Sequence, residues 1–157
     1  MSLPRRTNGI DYRFADESDS LKIWLFINDL ADDIGKSDVV VSSVDDIREI
    51  LFIKNVGRAV IAEEDGKSVG LLLYYYTFST FRGVIGLFIE DLIVSKSHRK
   101  RGIGKELLDI SLELAGSGYV EWKCLRYNIS AQKFYDTISG KYLDEWMTYR
   151  KEGISKE

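Results

Sequence analysis

Ile89-Glu90-Asp91-Leu92-Ile93-Val94-Ser95-Lys96-Ser97-His98-Arg99-Lys100-Arg101-Gly102-Ile103-Gly104-Lys105 reads as a buried strand, a short basic turn and the start of a helix. Leu87 to Val94 is apolar and rich in strand-forming residues apart from one pair of carboxylates. Leu107, Ile110 and Leu114 then recur at helical spacing. Between strand and helix, Gly102 and Gly104 let the backbone turn so that several N–H groups converge. The positive end of the helix dipole lies just behind them. Arg99, Lys100, Arg101 and Lys105 add side-chain charge. Such an assembly suits a pyrophosphate.

Two common phosphate loops do not fit. A nucleotide-hydrolysing loop needs glycine where Arg99 stands and Ser or Thr where Glu106 stands. A dinucleotide fingerprint needs a third small residue at the place of Leu107, which is too bulky for close helix–strand approach. What remains, Arg99-x-x-Gly102-x-Gly104 after a strand, resembles the acetyl-CoA pyrophosphate loop of the GNAT N-acetyltransferase superfamily. By itself the motif is short, and a plain glycine-containing turn would look the same.

The composition narrows the field. A chain of 157 residues predicts one domain spanning 1–157, and 45% hydrophobic content is enough for a core. A formal net charge of −3 argues against nucleic acid as a partner. Cys124 is the single cysteine, which rules out an intrachain disulfide and reads as a small apolar strand residue. His98 is the single histidine, so a multi-histidine metal site is excluded and no metal is expected. No apolar run approaches a membrane span, and no signal peptide is visible. A cytoplasmic protein without a membrane partner is the expectation. Met1-Ser2-Leu3 is set aside from fold reasoning.

In chain order, Ile10, Tyr12 and Phe14 alternate as a first strand. Asp16, with Asp19 three residues on, caps a helix whose stripe is Ile23, Phe26, Ile27, Leu30, Ala31 and Ile34. Trp24 and Leu25 widen that face, and Gly35 ends the helix. Trp24 either packs under a neighbour or lines a cleft for substrate. Ser43 and Asp46 start a short second helix. Ala59 to Glu63 and Val69 to Tyr76 form strands about the Asp65-Gly66 turn. Thr77 to Gly86 reads as a loop. Gly116 and Gly118 close the main helix, Tyr119 to Leu125 is a strand, and Ser130 caps a short helix. Tyr142 to Lys151 reads as two short strands or one bent one. The fold class is α+β, in α/β-type layers with helices on both faces of the sheet. The superfamily resemblance implies a mixed, mostly antiparallel central sheet that splays between its fourth and fifth strands to admit the cofactor.

Longer stretches sharpen the resemblance. Ile23-Trp24-x-Phe26-Ile27-x-x-Leu30-Ala31, Leu73-Tyr74-Tyr75-Tyr76-x-Phe78-Ser79-Thr80-Phe81, Ile89-Glu90-Asp91-Leu92, Tyr127-Asn128-x-x-Ala131 and Phe134-Tyr135 are similar to the diamine (spermidine/spermine) acetyltransferase branch. The resemblance implies acetyl-CoA as cosubstrate, a small amine acceptor and a homodimer. It implies that Glu90 lies by the substrate amine, that Tyr135 protonates the departing thiolate, and that Asn128, near Ala131, helps hold the pantetheine arm. It also implies that Leu92, Ile93 and Val94 pair with the pantetheine like an added strand, while Arg99, Lys100, Arg101, Gly102, Ile103, Gly104 and Lys105 wrap the pyrophosphate.

These residue types suit the chemistry. Acetyl transfer needs a neutral amine, yet an alkylammonium ordinarily titrates near ~10.4, so a carboxylate must help remove the proton. Glu90 is the candidate. Alternation puts Asp91 on the opposite strand face unless a bulge intervenes, and a bulge would free backbone N–H groups for the thioester oxygen. Asp91 is a substrate contact or a structural salt bridge.

Three positions depart from the polyamine pattern. Ile34 stands where an acidic substrate contact belongs, beside Asp32 and Asp33, which are turned differently. Ser79-Thr80-Phe81 looks more like the thialysine branch. Ser139 replaces an expected glycine, with Gly140 shifted by one. The acceptor is therefore a polyamine, a diamine or a thialysine-like amine. Two alternatives stay open: a GNAT enzyme acting on a protein or peptide amine, and a non-catalytic acyl-CoA sensor.

Overall fold

The structure, a computed structural model, describes residues 3–153. Met1 and Ser2, set aside above, lie outside the described residues. Backbone contacts divide the chain into two units, Met1–Lys123 and Cys124–Glu157.

The first unit is built on one six-stranded sheet whose spatial order follows the sequence. Its strands are β1 (Arg5–Thr7), β2 (Ile10–Phe14), β3 (Arg58–Glu64), β4 (Lys67–Ser79), β5 (Val84–Val94) and β6 (Tyr119–Trp122). Neighbours are antiparallel from β1 to β5, and β6 runs parallel to β5. That parallel step needs a crossover, supplied by α3 (Ile103–Ala115). The helices before β3 are α1 (Ser20–Asp33) and the short α2 (Val44–Arg48), which runs into a wider turn at Glu49–Ile53.

Helices cover both faces, as expected. On one face Ile23 and Phe26 of α1, with Ile47 and Leu51, pack on Ala59, Ile61, Leu71, Leu73 and Ile93. Gly70 points to the other face, where a side-chain carbon would meet Ile103 Cγ2 and Leu107 Cδ1 of α3, each at 3.3 Å. Glycine at 70 thus lets the helix lie close against the sheet. Ser43 closes a capping box with Asp46 at the start of α2, whereas Asp16 closes one with Asp19 on the 3-10 turn Glu17–Asp19 that leads into α1, and α1 itself begins after Asp19 without a side-chain cap. Asp65 and Gly66 both take positive φ, the conformation a two-residue hairpin turn demands.

Several expectations are corrected. β1, Arg5-Arg6-Thr7, carries no apolar residue that would mark it as a strand. Thr77 to Gly86 is not a loop: Thr77 pairs with Gly86, Phe78 with Ile85 and Ser79 with Val84, leaving only a tight turn between. Polar composition suggests a loop there, but hairpin pairing extends the ladder through it. Gly86 pairs with Thr77 on one side and Tyr119 on the other, and it has to be glycine because the Tyr119 ring lies where a side chain would go, 2.4 Å from the added carbon. β6 stops at Trp122 rather than Leu125, where its pairing with β5 stops, so Cys124 is not a strand residue. Leu25 is exposed and does not widen the packed face of α1.

The second unit holds α4 (Ile129–Thr137). Its cap is Asn128, not Ser130, because the Asn128 side chain accepts from the Ala131 N–H. Tyr142–Lys151 forms no strand, and Tyr142, Trp146 and Tyr149 are exposed. This aromatic stretch finds no strand partner among the described residues of its unit, and a strand without a ladder is not stable.

Candidate functional site

Glu90 is held in a kink of β5. The β4–β5 register runs Leu73 opposite Asp91, then Tyr74 opposite Ile89, so Glu90 is an extra residue without a partner. This is the bulge that would break strict alternation. Ile89 and Ile93 are buried, Glu90 is exposed, and Asp91 is half-buried. The same place ends the parallel ladder: β5 pairs β6 from Gly86 opposite Tyr119 as far as Ile89 opposite Trp122. Beyond it the β6-facing edge of Glu90 to Val94 has no strand partner among the described residues. The pairing of β5 with β6 stops here because β6 itself stops at Trp122. An open edge of this kind can accept an extended ligand through main-chain hydrogen bonds.

Two carboxylates adjoin at the bulge. Burial, and secondarily the Glu90 charge, push the Asp91 carboxyl up to about 6. Among the described residues the Asp91 side chain makes no ion pair or hydrogen bond, so the salt-bridge reading of Asp91 is not realised. Burial, with Glu90 again nearby, also raises the Tyr75 phenol.

The glycine turn follows. Gly102 has φ 83, a left-handed conformation, and nothing lies within 4 Å of where its side chain would be. α3 starts directly behind it. The first helical hydrogen bond is Glu106 N–H to Gly102 O at 3.0 Å, and no side chain caps this end. The N–H groups of Ile103, Gly104 and Lys105 therefore precede the helix's own bonding, as an anion site requires. The residues present fit the phosphate portion of a CoA cofactor.

The cations of the turn are tied to carboxylates from elsewhere in the first unit. Asp33 takes Lys96 Nζ at 2.9 Å and also pairs with Arg99. Glu64 takes His98 Nε2 at 3.1 Å and both terminal nitrogens of Arg101. Arg99 Nε donates to Val94 O at 2.9 Å, and Lys105 pairs with Asp109 along α3. Lys100, at φ 61, has no such partner among the described residues. Neither Asp33 nor Glu64 was expected in this role. Asp33 carried one signal, being an acid at the unfavourable end of a helix. Glu64 carried none.

Trp24 donates its indole N–H to Ser42 O at 2.7 Å and packs at the rim of the α1 core cluster. Its polar edge is thereby engaged within the first unit.

Within the second unit, Asn128 Oδ1 accepts from Ala131 N–H at 3.1 Å. Gln132, which the sequence did not single out, donates to Leu125 O and Arg126 O and binds the approach to α4 onto the helix. The Tyr135 ring lies 5.6 Å from Phe134 in a tilted pair. Burial, with Cys124 as a smaller influence, pushes the Tyr135 phenol up to about 12, so it keeps its proton across the neutral range. Burial also raises the Cys124 thiol. No helix among the described residues is long and apolar enough to cross a membrane.

Comparison with known proteins gives these features a common setting. A thialysine N-epsilon-acetyltransferase from Sus scrofa is 30% identical over 156 residues, covering 90% of this chain and 91% of that protein. An L-ornithine N5-acetyltransferase from Arabidopsis thaliana is 31% identical over 87 residues, and this match spans 54% of the chain but 38% of that protein. Among solved structures, an integron cassette protein from the mobile metagenome of V. cholerae superposes with a TM-score of 0.76 at 23% identity, covering 94% of each chain. Residues 24–140 match the family model described as Acetyltransferase (GNAT) family, which takes in α1 from Trp24 on, the β5 bulge, the glycine turn and α4, and the chain belongs to that family.

Proposed function

We propose that this protein transfers an acetyl group from acetyl-CoA to the primary amine of a small diamine, polyamine or thialysine-like acceptor. The observation that carries the reading is the bulge at Glu90, directly before the free edge of β5 and thirteen positions ahead of the helix start at Ile103. The relatives named for thialysine and ornithine act on amino acids with a side-chain amine, which favours that acceptor class over a long polycation.

Each residue has a role in this proposal. The N–H groups at the start of α3, with Arg99, Lys100, Arg101, Gly102 and Lys105, hold the pyrophosphate. Leu92 to Val94 pair with the pantetheine amides, and Asn128 and Ala131 support the same arm. When bound, acetyl-CoA supplies the acyl group as an activated thioester. Glu90 removes the ammonium proton, directly or through water, and Asp91 adds negative potential that draws the cation in. Tyr135 donates its proton to the leaving sulfur. Trp24 borders the acceptor. We further propose a homodimer in the cytoplasm, supported by exposed apolar residues such as Phe78, Phe81 and Trp146.

A panel of amines with a free-thiol readout tests the reading. Thialysine, ornithine, lysine, spermidine and a lysine peptide are compared at fixed acetyl-CoA. Thiol release with the small amines is expected, and preferential release with the peptide would move the acceptor to a protein. Acetyl-CoA binding without release by any amine would make the protein a sensor. Glu90→Gln should lose most activity near neutral pH and recover part of it at high pH, where free amine becomes abundant. A parent-like pH profile would remove Glu90 from the base role.

A further inference from the structure

We propose that Asp33 and Glu64 act as resident counter-anions of the glycine turn, competing with the cofactor's phosphates for its cations and so lowering cofactor affinity. This rests on the reading of Arg99 to Lys105 as the pyrophosphate site. The two carboxylates come from separate elements, Asp33 from the last position of α1 and Glu64 from the last position of β3. Together they engage Lys96, His98, Arg99 and Arg101. Lys105 is paired with Asp109. Lys100 alone among these cations keeps its charge uncancelled among the described residues.

The position of Asp33 is informative. The last turn of α1 carries no basic residue, and an acid there faces the negative end of the helix dipole. A residue that breaks a local rule points to a requirement elsewhere in the fold. Here that requirement is the turn: Lys96 first, and Arg99 with it, hold the Asp33 carboxyl below its ordinary range. Arg101 chiefly does the same for Glu64. Both groups are therefore anionic throughout the neutral range.

Ion pairs whose cationic partners stay largely open to solvent, as Lys96, Arg99 and Arg101 do, are individually weak, so a multiply charged phosphate can displace them. Each pair nevertheless cancels part of the field that would draw the anion in. What remains for the first encounter is the helix N-terminus and Lys100.

The test uses the isosteric variants Asp33→Asn and Glu64→Gln. Circular dichroism checks their fold, and calorimetry measures the Kd for CoA across a sodium chloride series. Each variant should bind CoA ~2–5-fold more tightly at low salt, and its affinity should fall more steeply as salt rises. Unchanged or weaker binding would overturn the proposal and leave the carboxylates as supports of the turn. A second comparison does not depend on those variants folding. Lys100→Ala should weaken CoA binding more than Lys96→Ala, whose charge Asp33 already offsets; equal losses would also overturn it. Gly104→Glu serves as the control. If it binds CoA as the parent does, the turn is not the phosphate site, and both the reading and the proposal fall.

Discussion

α3 and α4 are both helices behind a turn, yet they are built on different principles. α3 has five buried residues, Ile103, Leu107, Leu108, Ile110 and Ser111, and no side-chain cap at its start. α4 has no buried residue, and the Asn128 side chain caps it. A helix held by packing can leave its first N–H groups for a ligand. A short helix without a core of its own needs those groups satisfied internally. The contrast extends to the units that carry them. The buried residues of the chain run from Ile10 to Ser111, all in the first unit, and none is found in the described part of the second. The phosphate-facing part of the proposed site is thus set in a dense core. The proposed acid, Tyr135, belongs to a thinner unit organised by hydrogen bonds.

The largest expected effect probes the thinner unit. Tyr135→Phe removes only a hydroxyl, so CoA affinity should persist while kcat falls by ~10²–10⁴. Because burial keeps the phenol protonated to about 12, the deficit should be constant from pH 6 to 9 in initial-rate assays. A parent-like kcat would assign the proton to another donor and confine the chemistry to the first unit.

Next comes the packing contrast itself. Leu107→Ala should destabilise the protein by about 2–5 kcal/mol in denaturant melts. Leu143→Ala, in the exposed tail, should stay within about 0.5 kcal/mol. Comparable losses would show that the tail is buried in the working assembly, as the proposed dimer would allow.

Asp91 marks a weak point inside the dense unit. Its folded carboxyl titrates near 6, above its unfolded value, so folding favours the protonated form. The associated stability is fully present below about pH 4 and is lost as pH rises through 6. Asp91→Asn should therefore stabilise the fold by about 1–3 kcal/mol at pH 7.5 and have little effect at pH 4. Equal effects at both pH values would place the strain elsewhere than in the charge.

The smallest effect belongs to the end of α4. Ser139 takes φ 59, where a side chain is unfavourable. Ser139→Gly should stabilise the second unit by about 0.5 kcal/mol, the relief of strain being partly offset by unfolded-state entropy. A destabilised melt would mean that the hydroxyl is needed there.

What could be read from the sequence was local. The apolar run through Val94, the basic turn, Gly102 and the stripe of α3 announce a strand–turn–helix because each signal acts within a few residues. The capping boxes at Asp16 and Ser43 and the Asp65-Gly66 turn are of the same kind. Signals that needed a partner misled. The Thr77 to Gly86 stretch looked like a loop until pairing made it strand, and the aromatic tail looked like strand without a ladder to join.

The chain's own residues determined the basic glycine turn, the layered α+β class and the carboxylate pair at Glu90 and Asp91, since dihedral preference, periodicity and charge are carried residue by residue. The tertiary structure alone decided that Glu90 bulges, because register is a property of two strands, and a mismatch at Leu73 and Tyr74 appears in neither sequence segment alone. It alone brought Asp33 and Glu64 to the basic turn, from 66 positions before Arg99 and 37 before Arg101. Ion pairs form where the packing of α1 on the sheet and the end of β3 within it deliver the side chains, and nothing in the local sequence of the turn records which carboxylates will arrive.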